Sequence, residues 1–241
     1  MDEISTYPYA GLDTEFYNCS ILTESPAARS VCHVFSVATP SGPLLPRGFN
    51  EATSYVFDGR LLNEACVKEW LENAEHQKPV HNQSVDAHTI RNHGVTLRGG
   101  VNTLAMARFW YPSRAKREGF DLDSLGRDFC GSGKTESYDD LLGYDDTEER
   151  EHTVTKKRCE CGAISCRKRL GGHDRKTPVE LLETYRAKVR RRISLTLLEP
   201  GHPLWTRYLA YAAWDAVLAL WIYQYMLRDK IERPYPWQIT L

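Results

Sequence analysis

The sequence predicts a mixed α/β protein in which helices flank a sheet. Three early runs are predicted to be strands: Tyr9–Phe16, Val31–Ala38 and Thr53–Phe57. A helix, a fourth strand and a further helix follow in the pattern, and this alternation favours a mixed sheet. The 241 residues are enough for one domain, or for one domain that carries an insert.

The later elements are predicted from spacing and from their end signals. Apolar residues of Leu61–Ala74 recur at steps of three and four, which indicates an amphipathic helix. A short apolar run, Lys78–His81, is predicted to be a buried strand. Two helices are predicted next, Ser84–Asn92 before a glycine and Thr103–Tyr111 before a proline.

The second half of the chain changes character. Glu136–Glu151 contains eight acidic residues and one arginine, and it is predicted to be a solvated face or a mobile loop. Thr177-Pro178-Val179-Glu180 has the residue types of a helix start, which predicts a helix to about Arg192. A long final helix is predicted from near Pro203 to Ile231.

Charge is distributed unevenly although the net charge is only −1. Lys156 to Arg192 contains thirteen basic and four acidic residues, whereas the remainder contains 18 basic and 28 acidic residues. This asymmetry favours binding of a nucleic-acid backbone by the basic stretch, with Arg190, Arg191 and Arg192 as candidate phosphate contacts.

No targeting segment is predicted, because Met1–Tyr9 carries Asp2 and Glu3 and lacks an apolar core. No membrane span is predicted, because the apolar run Tyr208–Leu227 contains Asp215 and Gln224. Seven cysteines, an odd number, favour a reducing compartment, the cytoplasm of the producing or host cell. Three of them lie within eight residues: Cys159, Cys161 and Cys166.

This cysteine cluster predicts a structural zinc site in a basic insert at 152–176. Zn²⁺ takes tetrahedral Cys₃His ligand sets, and a short insert without its own core needs such a site to hold its shape. His173 is the fourth ligand that the spacing favours, and His152 is the alternative. A reduced, exposed loop with chance clustering is the competing interpretation.

Four carboxylates form the candidate catalytic set. Asp13 and Glu15 project from the same face of the first strand, where two hard oxygen ligands can clamp a divalent cation. Asp86 follows Asn82 by four residues at a strand-to-helix junction. On the final helix Tyr211 and Asp215 share a face, and an ionised carboxylate in so apolar a run is costly without a cation or donors.

These motifs, LDTEF, then HNxxxD, then YxxxD, resemble in this order the three motifs of the four-carboxylate (DEDD) 3′→5′ exonuclease superfamily, tyrosine subtype. Its members include the proofreading domains of DNA polymerase I and of phage polymerases, and ribonuclease D. The resemblance covers roughly Tyr9 to Asp229. The chain departs from it at Asn102, where relatives often have Asp, and in the cysteine-rich insert.

The resemblance implies a ribonuclease-H-like fold with a five-stranded mixed sheet, and catalysis with two Mg²⁺ or Mn²⁺ ions. Asp13 would contact both ions, Glu15 and Asp215 would complete one site, and Asp86 would hold the second ion through water. Tyr211 and Glu15 would orient the attacking water. Asn82 and the backbone near Thr14 would position the terminal nucleotide. The loop Gly131-Ser132-Gly133-Lys134 lacks the spacing of a P-loop, and no function is predicted for it.

The predicted protein is therefore a single exonuclease domain, 1–241, acting on 3′ ends of DNA in proofreading. Because little chain follows the last helix, a separately encoded polymerase, as in a phage, is the expected partner. An RNA-trimming enzyme of the ribonuclease D kind is the first alternative. A zinc-stabilised nucleic-acid adaptor with a vestigial nuclease core is the second.

Overall fold

A computed structural model describes residues 1–17, 30–45, 49–116, 119–135, 137, 141, 144–158, 179–192 and 198–232. They fall into two compact units. The first comprises Met1–Leu142 and Ser194–Leu241, and the second is Gly143–Ile193.

Each unit has its own secondary structure. In chain order the helices and strands are α1 (Asp2–Ser5), β1 (Gly11–Tyr17), β2 (Val31–Leu44), β3 (Asn50–Asp58), α2 (Ala65–Glu72), β4 (Lys78–Val80), α3 (Ser84–Asn92), β5 (Gly100–Asn102), α4 (Thr103–Trp110), α5 (Leu122–Leu125), β6 (Tyr144–Arg158), β7 (Val179–Arg192) and α6 (Trp205–Glu232). Short 3₁₀ turns, Gly59–Asn63 and Pro112–Lys116, precede α2 and follow α4, and a π-helical turn, Gly126–Cys130, follows α5.

The first unit is built on a five-stranded mixed sheet with the order β3-β2-β1-β4-β5. The strands β1, β2 and β3 are antiparallel neighbours, whereas β1, β4 and β5 run parallel. The predicted mixed α/β sheet is confirmed, and its order and directions are those expected of a ribonuclease-H-like fold.

Alternation along β1 directs its side chains to two different layers. Leu12 is fully buried in an apolar core that includes Phe35 of β2 and Trp70 and Leu71 of α2. On the other face α6 packs against β1, β2 and β3. The central strand is therefore covered on both sides by helices.

Gly11 permits the close approach of α6 to β1. A Cβ atom at Gly11 would lie 2.2 Å from the carbonyl oxygen of Ala216, so any other residue there would displace the helix. Two further contacts fix the helix on the sheet, where the Ser36 hydroxyl donates to the carbonyl of Ala212 (2.6 Å) and the Trp221 indole donates to that of Asn50 (2.8 Å). Together they hold the middle of α6 beside the face of β1 that carries Asp13 and Glu15.

In the second unit the described residues form a two-stranded antiparallel ribbon of β6 and β7. The basic segment up to Arg192 is a strand, so the predicted helix is wrong. The acidic segment is a strand from Tyr144 onwards, which contradicts the mobile-loop alternative there but not the solvated-face alternative. The backbone register pairs the acidic stretch of β6 with the basic stretch of β7. This non-local pairing overrides the local helix-start signal.

The predicted zinc ligands Cys159, Cys161, Cys166 and His173 lie outside the described residues. The alternative ligand, His152, lies on β6. Among the helices that the structure describes, none combines the length and the apolar character that crossing a membrane requires.

Candidate metal centre

Three of the predicted carboxylates converge at one point of the first unit. Asp13 and Glu15 come from β1, and Asp215 comes from α6, which Gly11 brings close to the strand. One carboxylate oxygen from each residue lies within 4.8 Å of the other two. Such a spacing allows one cation to contact all three side chains.

The charges of these carboxylates are poorly compensated by the protein. Burial, together with the charges of Asp215 and Glu15, raises the pKa of Asp13 well above its usual value. Burial and the charge of Asp215 likewise raise the pKa of Glu15 from 4.5 to about 8. Mutual repulsion in a desolvated site is relieved when a cation binds, so the cluster is suited to a metal.

Two buried oxygens of this cluster have no hydrogen-bond partner among the described residues. They are Oδ2 of Asp13 and Oδ1 of Asp215, which is only 5% exposed. A buried carboxylate oxygen normally accepts a hydrogen bond or binds a cation, because leaving it bare is costly. Both atoms are therefore available as metal ligands.

Asp86 is also buried but has its own donors. On α3, its Oδ1 accepts hydrogen bonds from the backbone amide (2.9 Å) and the hydroxyl (2.8 Å) of Thr14. Burial raises the pKa of Asp86 to about 7, against the lowering effect of the hydrogen bonds from Thr14. Thr14, which is 5% exposed, thus connects β1 to α3 through its hydrogen bonds to Asp86.

Lys134 is a site residue that the sequence analysis missed. Its ammonium group donates to Oδ2 of Asp215 (2.5 Å) and to the hydroxyl of Tyr211 (2.9 Å). Tyr211 is buried, and burial with the neighbouring charge of Asp215 raises the pKa of its hydroxyl well above the usual value. One lysine in an irregular loop has no periodic pattern, and the preceding glycines were the only signal of a special backbone.

A cleft of about 550 Å³ opens beside the carboxylates. The residues that line it include Asp13, Asn82, Arg108, Phe120, Lys134 and Asp215. Asn82 has a left-handed backbone (φ 59°), which places this exposed residue in the turn between β4 and α3. The cleft is within the size range of small-ligand sites and combines apolar walls with converging polar groups.

The other predicted substrate contacts are placed differently. The amide and hydroxyl of Thr14 both donate to Asp86. Arg190, Arg191 and Arg192 lie on β7 of the second unit. Their roles in binding substrate stay predictions.

Comparison with known proteins confirms the predicted resemblance to DNA polymerase I. The chain is 31% identical over 138 residues to DNA polymerase I A, chloroplastic/mitochondrial, of Arabidopsis thaliana, and 32% identical over 141 residues to DNA polymerase I B of the same plant. Each match covers 54% of this chain and 13% of the relative, so the chain spans a small part of either protein. No family model matches the chain.

A solved structure described as the apo form of a nuclease shares the fold. It superimposes with a TM-score of 0.54 at 13% sequence identity and covers 96% of this chain and 77% of that chain. At this identity the likeness supports the architecture of the sheet and its helices.

Proposed function

We propose that the protein is a metal-dependent 3′→5′ exonuclease that hydrolyses terminal phosphodiesters of DNA and releases nucleoside 5′-monophosphates. The observation that carries the proposal is the meeting of Asp13, Glu15 and Asp215 beside a cleft, with two buried oxygens that have no donor among the described residues. The order of the three motifs and the similarity to DNA polymerase I support it.

The residues fit two Mg²⁺ or Mn²⁺ ions, because all the donors are carboxylate oxygens. Asp13, Glu15 and Asp215 would hold one ion, and Asp86 with Asp13 would hold the second. When bound, a pair of such ions stabilises the attacking and leaving oxygens of an in-line phosphoryl displacement.

The remaining side chains would position the reactants. Burial raises the pKa of Tyr211, which therefore keeps its proton and can donate a hydrogen bond. Beside a bound cation the Glu15 carboxyl would be ionised, and it could then accept a hydrogen bond from the attacking water. Asn82 is exposed at the cleft and would contact the terminal nucleotide. The cation Arg108 would attract the phosphates, and Phe120 would give an apolar surface for a sugar or base.

The wider assignment follows from the same reasoning. DNA at a frayed or single-stranded 3′ end is the proposed substrate, and proofreading beside a separate polymerase is the proposed role. The basic residues Arg190, Arg191 and Arg192 would add phosphate contacts. A zinc ion held by the cysteine-rich insert would give that segment its structure.

A labelled-oligonucleotide digestion tests the proposal. Single-stranded DNA and RNA of the same sequence, labelled at the 5′ end, are incubated with the protein in Mn²⁺ or in EDTA. The proposal predicts a ladder that shortens from the 3′ end of DNA in Mn²⁺ only, with 5′-mononucleotides as products. Faster shortening of RNA supports the ribonuclease alternative, and binding without cleavage supports the adaptor.

A further inference from the structure

The loop that carries Lys134 is fixed at its backbone. The amide of Lys134 donates to Oδ1 of Asp123 (2.7 Å), and the indole of Trp214 donates to the carbonyl oxygen of Gly133 (2.9 Å). A Cβ atom at Gly133 would lie 2.3 Å from the same Asp123 oxygen, so glycine permits this close packing. The start of the Lys134 side chain is therefore held against both α5 and α6.

The end of that side chain lies in the carboxylate cluster. Its ammonium group is 2.5 Å from Oδ2 of Asp215 and 4.7 Å from the centre of the Tyr211 ring, and the side chain is only 24% exposed. The positive charge of Lys134 opposes the upward pKa shifts of Asp13, Glu15 and Asp215. One fixed cation thus partly neutralises three carboxylates.

The two carboxylate oxygens of Asp215 lie in different environments. Oδ2 accepts from Lys134, whereas Oδ1 is buried without a hydrogen-bond partner among the described residues. A divalent cation that binds Oδ1 must therefore approach a carboxylate that already holds a positive charge. The ammonium group of Lys134 and a metal ion bound to the same carboxylate would repel each other strongly in a desolvated site.

We propose that Lys134 is a tethered counter-cation of the carboxylate cluster, with which a divalent metal ion competes for Asp215. This inference rests on the metal-binding part of the proposed function. Lys134 is then a positioning residue, since it acts through Asp215 and Tyr211. It partly balances the negative charge of the carboxylate cluster before metal binds, and it weakens the affinity of the site for metal.

Mn²⁺ binding measures this competition without any substrate. Mn²⁺ is titrated into the wild-type chain and the variants Lys134→Met and Lys134→Arg, and free Mn²⁺ is followed by electron paramagnetic resonance. We expect Lys134→Met to bind Mn²⁺ about tenfold more tightly, because a unit charge near the ligands is removed. Lys134→Arg keeps the charge and should bind no more tightly than the wild type.

Lys68→Met is the matched control, since it removes an exposed lysine of α2 that lies in a different part of the unit. It should leave Mn²⁺ affinity unchanged. Thermal unfolding of each variant in EDTA verifies that the chain is folded. A folded Lys134→Met variant with wild-type or weaker affinity would overturn the inference.

The outcomes also separate this inference from the proposed function. If neither the wild type nor Lys134→Met binds Mn²⁺ at millimolar concentrations, the metal centre itself is wrong, and the inference with it. If Lys134→Met binds more tightly but neither protein releases nucleotides, the competition stands and the exonuclease proposal is contradicted.

Discussion

Two buried parts of the carboxylate site differ in how the protein satisfies them. At the junction of β1 and α3, Asp86 receives two hydrogen bonds from Thr14. At the junction of β1 and α6, Asp13 and Asp215 each bury an oxygen that has no hydrogen-bond partner among the described residues. Aspartates at two junctions of the same strand are thus held in two different ways.

The difference indicates that the two junctions have different roles in metal binding. A carboxylate that accepts from protein donors is oriented before any ligand arrives, because its hydrogen bonds fix the side chain. A buried carboxylate oxygen that has no donor raises the free energy of the metal-free site, and a bound cation can lower it again. The α6 junction is therefore the stronger candidate for primary metal binding, and the α3 junction for orientation.

The largest expected effect comes from removing a charge at the α6 junction. Asp13→Asn and Asp215→Asn each remove a metal ligand, which should raise the activation free energy by several kcal/mol. Nucleotide release from labelled DNA should therefore fall by about 1000-fold or more. Repulsion in the metal-free site should also fall, leaving unfolding temperatures in EDTA equal to or above the wild type. Glu69→Gln, on the exposed face of α2, is the control. Full activity in either variant would refute the assigned role.

A smaller effect is expected at the α3 junction. Thr14→Val removes the hydroxyl donor to Asp86 but keeps the backbone donor and the side-chain shape. Loss of an orienting hydrogen bond to a metal ligand should lower activity or metal affinity about ten- to hundredfold. Steady-state nucleotide release and Mn²⁺ titration measure both quantities.

The control for Thr14→Val is Thr53→Val, whose hydroxyl contacts Ser41 on an exposed part of the sheet. It should behave as the wild type. A Thr14→Val variant that loses activity as completely as Asp215→Asn would remove the distinction between the two junctions.

The smallest effect concerns stability against pH without metal. The pKa of Glu15 is raised from 4.5 to about 8, so between these values the folded chain binds more protons than the unfolded chain. The free energy of unfolding in EDTA should therefore fall as the pH rises from about 4.5 to about 8. Scanning calorimetry should show a lower unfolding temperature at pH 8 than at pH 5, and Mn²⁺ should raise it more at pH 8.

Glu15→Gln provides the comparison for this pH effect, because it cannot ionise. Its unfolding temperature should depend less on pH over the same range. A wild-type protein that becomes more stable towards pH 8 in EDTA would contradict the raised pKa of Glu15 and the incomplete charge compensation that it reflects.

The sequence predicted those features whose signals are local. The alternation of β1 placed Asp13 and Glu15 on one face, and the helical spacing of α6 placed Tyr211 beside Asp215. The prediction that the three motifs form one site came from the family resemblance, which rests on the order of the motifs along the chain. The structure then supplied the distances.

Features that depend on distant partners could not be predicted in the same way. The segment 179–192 carries helix-start residues yet pairs with a strand more than twenty residues earlier, because pairing outweighs local propensity. Lys134 contacts residues some eighty positions away, and nothing in its own neighbourhood indicates them. The close contact at Gly11 likewise becomes visible only when α6 is in place.

Anomalous diffraction from crystals of the protein grown with Mn²⁺ gives the most immediate view of the cluster. We predict a strong anomalous peak within about 2.5 Å of Oδ2 of Asp13 and Oδ1 of Asp215, the two oxygens that have no donor among the described residues. A second peak is expected towards Asp86. Well-ordered crystals with no peak between β1 and α6 at saturating Mn²⁺ would contradict the assignment of this cluster as a metal centre.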